Sequence, residues 1–297
     1  MTAKLVVSKD TGELLLDTRQ ICYGLVKSGN MAYIQSWYRR FLKSAQLDPN
    51  NGANWTDATV GGSQGSGDDM WGFTLTNAIS PIVFIVGPGC LNGSVRSGNT
   101  ITFMYANCSA ATKFYCFDLM ANNIAGSPYL KTYRDDGVIT FNSLQPPLNV
   151  VAAIQAPGPS ALDANGHYIS AYAGGYNVQR QNQGTTPANK YPQIDSRVDI
   201  ALSAGIEYAA YLPWARSCGI SDMFGNNLFP HISYGGSEGA YGRVGGMSFM
   251  FGAAGATTQS YPQTSGWSMP CSFFNIPTDR YPIALVIKTA GLPFPYN

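Results

Sequence analysis

Apolar and polar residues alternate over short stretches along much of this chain. Residues 71–75 place Trp71, Phe73 and Leu75 on one face, a period of two that belongs to half-buried strands. Residues 100–105 repeat the pattern with Ile101, Phe103 and Tyr105, and residues 113–119 set Phe114 and Cys116 among Tyr115 and Phe117. Residues 82–86 (IVFIV) form a continuous apolar run between Pro81 and Gly87, as expected of a strand buried on both faces. Further strands are predicted at 198–202, 207–212, 247–251 and 283–288. Turn residues separate these segments at short intervals, the rhythm of a sandwich or barrel. Residues 30–46 differ: apolar or aromatic side chains at 31, 34, 37, 38, 41 and 42, behind Asn30 as an N-cap, fit a helical stripe, whereas the aromatics favour a strand. Both readings stay open for that segment.

The strongest organisational signal is an internal echo. Residues 5–18 read LVVSKDTGELLLDT and residues 130–143 read LKTYRDDGVITFNS. Aligned without a gap, both give a basic residue, Asp, any residue, Gly, alternating apolar positions, and then Asp or Asn followed by Thr or Ser. Each copy predicts a β-hairpin around a D-x-G turn, with Asp10 and Gly12 in the first and Asp135 and Gly137 in the second; glycine takes the positive φ such turns require. Leu14 and Leu16 align with Ile139 and Phe141, so the same face is expected to be buried. Two copies are too few for a solenoid.

Three long segments rich in Gly, Asn, Ser and Tyr, at 48–69, 156–195 and 235–268, read as loops. Their composition is that of binding loops, in which Tyr supplies contact area and Ser, Gly and Asn supply adaptable hydrogen bonds. Tyr168, Tyr172, Tyr176, Tyr241, Tyr261 and Trp267 are therefore the candidate contacts to a partner or host surface; the alternative is a plain solvent-exposed insertion. The expected fold class is all-β, with antiparallel β-sandwiches, long loops and at most one or two short helices. A division near residue 156 would give an N-terminal sandwich (1–155) carrying both hairpins and a C-terminal β-rich region (156–297), unless the chain is one continuous fold.

Composition narrows the partners. Only 12% of residues are charged, against about 25% in an ordinary domain, while 45% are hydrophobic, enough for a sizeable core. A net charge of +1 gives no field to draw nucleic acid or anionic lipid. Arg39, Arg40 and Lys43 are too small a cluster for a nucleic-acid footprint and read as a solvated edge or a contact to an acidic patch. The N-terminal stretch has no signal-peptide shape, and the longest apolar stretch, 78–86, contains Pro81 and falls short of the roughly 20 residues of a spanning helix. A soluble chain made in a cytosol is expected. The six cysteines, Cys22, Cys90, Cys108, Cys116, Cys218 and Cys271, form no C-x-x-C pair and are expected to be reduced thiols packed in the core. Sequons starting at Asn54, Asn92 and Asn107 read as chance matches.

No motif carries a catalytic assignment. G-x-S-x-G occurs around Ser63 and Ser237, but neither lies between a predicted strand and helix, as a hydrolase elbow must. No Walker A, dinucleotide fingerprint or H-E-x-x-H occurs. Asp68 and Asp69 could hold a cation, but adjacent strand residues face opposite ways; Asp136 belongs to the hairpin turn. His167 and His231 read as hydrogen-bonding loop residues. No cofactor and no metal are expected.

The succession of LVVSKDTGELLLDT, SPIVFIVGPG, GNTITFMYANCSAATKFYCFD and YLKTYRDDGVITFNS resembles a group of β-rich virion proteins from the tail ends of tailed bacteriophages of the siphophage type. Asp10, Gly12, Asp17 and Thr18 fill the hairpin pattern once; Asp135, Gly137, Asn142 and Ser143 fill it again, Asn142 departing from the usual Asp. The resemblance covers about residues 1–150, and 195–211 weakly. It implies a non-enzymatic structural part of a tail tip, baseplate or fibre, made in the host bacterial cytoplasm and located in the virion. Its implied partners are other virion tail proteins, further copies of itself and a bacterial surface receptor, with no nucleic acid and no membrane. The rival readings are an extracellular polysaccharide-degrading enzyme, which needs a cleft with paired acids, and a carbohydrate-binding module with Trp55, Trp71, Trp214 or Trp267 as an exposed stacking face. Low charge fits an assembly subunit, whose covered surfaces are depleted in charge. Residues 292–296 (LPFPY) cannot join a central strand and are expected to run over a neighbour or close the core.

Overall fold

The computed structural model describes residues 6–8, 10–12, 14–17, 20–42, 46–48, 50–57, 59–60, 63–64, 67–181, 192–222, 232–257 and 271–296. Strands account for 54% of it and no helix reaches seven residues, so the fold is all-β. The chain opens with β1 (Val6–Ser8) and β2 (Leu14–Asp17), then β3 (Tyr23–Asn30), β4 (Ala32–Tyr38) and β5 (Arg40–Leu42). The described part of segment 30–46 is therefore strand and not helix as far as Leu42: cross-strand partners for its aromatics outweigh the helical stripe. A single 3-10 turn, Gly52–Asn54, leads into β6 (Trp55–Asp57), β7 (Thr59–Val60), β8 (Ser63–Gln64) and β9 (Gly67–Leu75). Next come β10 (Ile82–Val86), β11 (Cys90–Ser97), β12 (Thr100–Ala106), β13 (Lys113–Leu119), β14 (Lys131–Tyr133), β15 (Ile139–Asn142) and β16 (Val150–Gln155). The series ends with β17 (Tyr176–Gln181), β18 (Pro192–Ala201), β19 (Tyr208–Tyr211), β20 (Ser217–Asp222), β21 (Ile232–Arg243), β22 (Gly246–Ala253), β23 (Ser272–Phe274) and β24 (Ile283–Lys288).

Twelve of these strands form one sheet, curled into a half-barrel. Its order is β16-β24-β19-β10-β21-β22-β18-β17, with β13 and then β3 branching from β10, and β20 and then β23 from β21. A second sheet has the order β11-β12-β9-β4. Pairing is antiparallel except between β10 and β21, which meet in parallel at Val86 and Gly242. Because β3, β10 and β13 hydrogen-bond into a sheet otherwise built from residue 150 onward, the strand pairing runs straight across residue 156.

β22 explains the layering. Every residue in it is buried, and its two faces serve different cores. Met247, Phe249 and Phe251 point into the half-barrel with Tyr172, Ile220, Tyr234, Phe273 and Val286. Met250 points the other way, joining Val83, Ile85, Phe73, Phe103 and Phe114 between the two sheets. There the Phe73 and Phe114 rings stack with centroids 3.6 Å apart. A third cluster (Leu25, Phe84, Tyr115, Phe117, Ala209, Ile287) covers the opposite face of β3, β13, β10 and β19, with Leu292 and Tyr296 packed against it. Ser28 and Tyr296 exchange backbone hydrogen bonds of 2.8 and 3.0 Å, and the Ser28 hydroxyl donates to the Pro293 carbonyl at 2.6 Å. The LPFPY segment thus closes the core of its own chain.

The stretch expected to be loop from residue 235 begins instead inside β21, the longest strand described. Its glycines concealed it, and close packing is the reason they are there. A Cβ on Gly242 would lie 1.8 Å from the Tyr208 carbonyl oxygen, and one on Gly239 2.3 Å from that of Gly89; a glycine inside a strand often marks such backbone approach. Likewise 48–69 contains β6, which pairs back to β5, and the small pair β7–β8, and 156–195 contributes β17 to the end of the large sheet.

Candidate functional site

The two D-x-G hairpins are the same object built twice. Val6 pairs with Asp17, Val7 with Leu16 and Ser8 with Leu14, with a bulge between Val7 and Ser8. At the aligned positions Lys131 pairs with Asn142, Thr132 with Phe141 and Tyr133 with Ile139, with the bulge between Thr132 and Tyr133. Gly12 and Gly137 sit at φ +83° and +79°, so the predicted glycine requirement is met in both. Asp10 and Asp135 are exposed; the second turn is fastened by Asp136, whose Oδ1 accepts from the Val138 amide at 3.2 Å. Ile139 is buried and Phe141 half-buried, while the side chains of Leu14 and Leu16 and all of Thr18 lie outside the described residues. Each hairpin is its own two-stranded sheet. The second hairpin is tied to the chain that follows the first, the Cys22 amide donating to the Thr140 carbonyl in β15 at 2.9 Å. Exposed on them are Val6 and Val7 on the first and Tyr129, Leu130, Tyr133 and Val138 on and beside the second, Tyr129 fully so.

A second feature is a cavity of about 280 Å³ where β10, β11 and β12 meet the segment after β19. Val83, Ile85, Leu91 and Leu212 form apolar walls, Asn92 and Trp214 line it, and Glu238 contributes from β21. Trp214 is 44% exposed. Glu238 is buried and held: Arg216 donates to it through Nε (2.8 Å to Oε2) and Nη2 (2.7 Å to Oε1), and the Tyr172 hydroxyl donates to Oε1 at 2.9 Å. The Arg216 guanidinium lies 5.1 Å from the Tyr281 ring centre and 5.5 Å from that of Phe251. Burial, with the Glu238 charge beside it, pushes the Tyr172 phenol well above its ordinary range. The acid is thus saturated by structural bonds.

The remaining candidates divide by burial. Tyr172 and Tyr241, expected to be contacts, are core residues (0% and 5% exposed); both rings serve the sheet interior, where a bulky apolar body is worth more than at the surface. Tyr168 is half-buried and bridged to Phe273. Tyr176 is exposed, its hydroxyl donating to Asp199 at 3.3 Å. Tyr261, Trp267 and His231 lie outside the described residues, as does Lys43. Of the basic cluster, Arg39 is not at the surface: it is 1% exposed, pairs with both oxygens of Asp68 at 2.9 Å and lies 3.8 Å over the Tyr234 ring. That bond also disposes of the Asp68–Asp69 cation site. Asp68 is committed to Arg39, and Asp69, on the other face of β9, accepts from Ser36 at 2.6 Å; burial raises the Asp69 carboxyl. His167 stacks on Phe274 and bonds Ser272 at 3.1 Å. Ser237 sits within β21 and Ser63 within β8, neither on a strand-to-helix elbow. Four cysteines (Cys90, Cys108, Cys116, Cys218) are buried, and burial drives the Cys116 thiol far up.

Sequence reasoning missed Arg216, Glu238 and Tyr105, because their neighbours are set by strand pairing between distant segments. No protein-family model, no curated protein and no solved structure matches the chain.

Proposed function

We propose that this chain is a structural subunit of a tailed-phage virion, in the tail tip, baseplate or fibre, and contributes to host attachment. The observation that supports this most is the pair of hairpins with one register and one bulge, carrying exposed Val, Leu and Tyr side chains. The second hairpin is anchored through buried Ile139, Thr140 and Asn142, and the apolar side chains that both hairpins leave exposed suit docking to neighbouring subunits. Exposed apolar surface on a folded chain marks an interaction site. The low charge of the chain agrees with faces covered in an assembly.

The test is composition of the particle. Mass spectrometry of purified virions from the phage encoding this chain should detect it, and negative-stain images with an antibody to it should label the tail end. A chain absent from particles yet abundant in the lysate would refute the proposal. Light scattering of the purified chain should report an oligomer.

A further inference from the structure

The cavity beside Trp214 holds a polar group that the fold does not use. Tyr105 is 4% exposed and lines the cavity. Its hydroxyl has no hydrogen-bond partner among the described residues. The buried side-chain atoms without a hydrogen-bond partner among the described residues are Trp71 Nε1, Arg197 Nε and Arg243 Nε. The Tyr105 hydroxyl is not one of them, so solvent reaches it, and a ligand hydroxyl can take the place of that water. Nearby, Asn92 is tied to Gly255 by two long bonds, Nδ2 to the carbonyl at 3.4 Å and the Gly255 amide to Oδ1 at 3.3 Å. Its amide keeps one N–H and one lone pair. The only acid in the lining, Glu238, is already neutralised by Arg216 and capped by Tyr172. No charge is therefore left in the lining to select an ion.

We propose that this cavity binds one neutral pyranose ring, with the Trp214 indole as stacking platform and the Tyr105 hydroxyl and Asn92 amide meeting sugar hydroxyls. A pyranose has the two properties this lining asks for. Its polarised C–H face packs on the electron-rich face of an indole, and its hydroxyls supply both donors and acceptors to uncharged protein groups. The volume, about 280 Å³, falls just below the usual range for small-molecule sites, about 300–1,000 Å³, and suits one ring rather than a long oligosaccharide. The site stands independently of the virion reading, since sugar binding by the purified chain does not depend on where the chain assembles.

The experiment is saturation-transfer NMR and calorimetric titration of the full chain with methyl glycosides of glucose, galactose, mannose and N-acetylglucosamine. At least one should saturate, and Trp214→Ala should weaken it by about tenfold or more. Tyr105→Phe should weaken it by about fivefold, the loss of one hydrogen bond, without lowering the melting temperature. The inference is overturned if none of the four saturates, if Trp214→Ala binds as well as the parent, or if indole binds and no glycoside competes with it. Destabilisation by Tyr105→Phe would also overturn it, by showing that the hydroxyl serves the fold.

Discussion

Arg216 and Glu238 face each other with two hydrogen bonds, 2.8 and 2.7 Å, in a position where neither side chain has any solvent exposure. They come from a strand start and its antiparallel neighbour, and the Glu238 amide also donates to the Arg216 carbonyl at 3.0 Å. Removing one partner strands the other charge in the core, at a cost of about 3–5 kcal/mol. Arg216→Ala and Glu238→Ala should each unfold at lower urea by that amount. The Arg216→Met, Glu238→Leu double variant should be less damaged than either, which a double-mutant cycle would read as coupling.

Gly242 is the strictest glycine. A Cβ there would fall 1.8 Å from one backbone oxygen, so Gly242→Ala should cost about 3 kcal/mol or more through forced strand separation. Gly52→Ala, where a Cβ meets nothing within 4 Å, should stay within about 0.5 kcal/mol of the parent. Thermal unfolding of both variants measures the contrast.

The hairpins make a paired prediction. A Cβ on Gly12 or Gly137 would touch nothing, yet both residues hold positive φ. Alanine at either should therefore raise local opening by about 1 kcal/mol for backbone reasons alone. Because the two registers are equivalent, amide exchange should show similar losses of protection, each confined to its own hairpin.

Two carboxyls should titrate on opposite sides of the ordinary range. Asp163 accepts from the His167 and Asn165 amides at 2.9 and 2.8 Å, which lowers its pKa. Its contribution to stability is present above the unfolded pKa and lost as pH falls through the folded one. Burial raises Asp69, so the folded state holds that proton more tightly and stability falls as pH rises from the unfolded toward the folded value. Asp69→Asn should flatten the second slope, and Asp163→Asn the first. Carbon-13 NMR titration of the two carboxyls gives the order directly.

Much of the sheet was legible because its strands wear their burial openly. Residues 82–86, 113–119 and 283–288 are strands with those very bounds, each an apolar run or alternation flanked by turn residues. β21 was not legible: its glycines mimic a loop, and the close approach of Thr257, Cys218 with Ile220, Gly89 and Tyr208 to Gly235, Gly236, Gly239 and Gly242 in turn explains them. The hairpin echo was readable down to its turn glycines, since local chemistry fixes a tight turn. Of the candidate contacts, Tyr172 and Tyr241 misled because Tyr serves cores and surfaces alike. Trp214 could be named as a stacking residue, but its sharing one cavity lining with Tyr105 depends on which strands face each other, a non-local fact that one sequence does not carry.

The clasp between Ser28 and the 293–296 segment has a consequence for how the protein is made. Ser28 and Pro293 are 265 residues apart in sequence. At a synthesis rate of about 5–20 residues per second, roughly 13–53 s separate the translation of one from the other. Throughout that interval the Ser28 end of β3 must wait with its edge open, and for much of it β10 waits for β19 and β21, which end at Tyr211 and Arg243. An early half that cannot finish its own sheet is a natural client for chaperones that shield nascent strand edges.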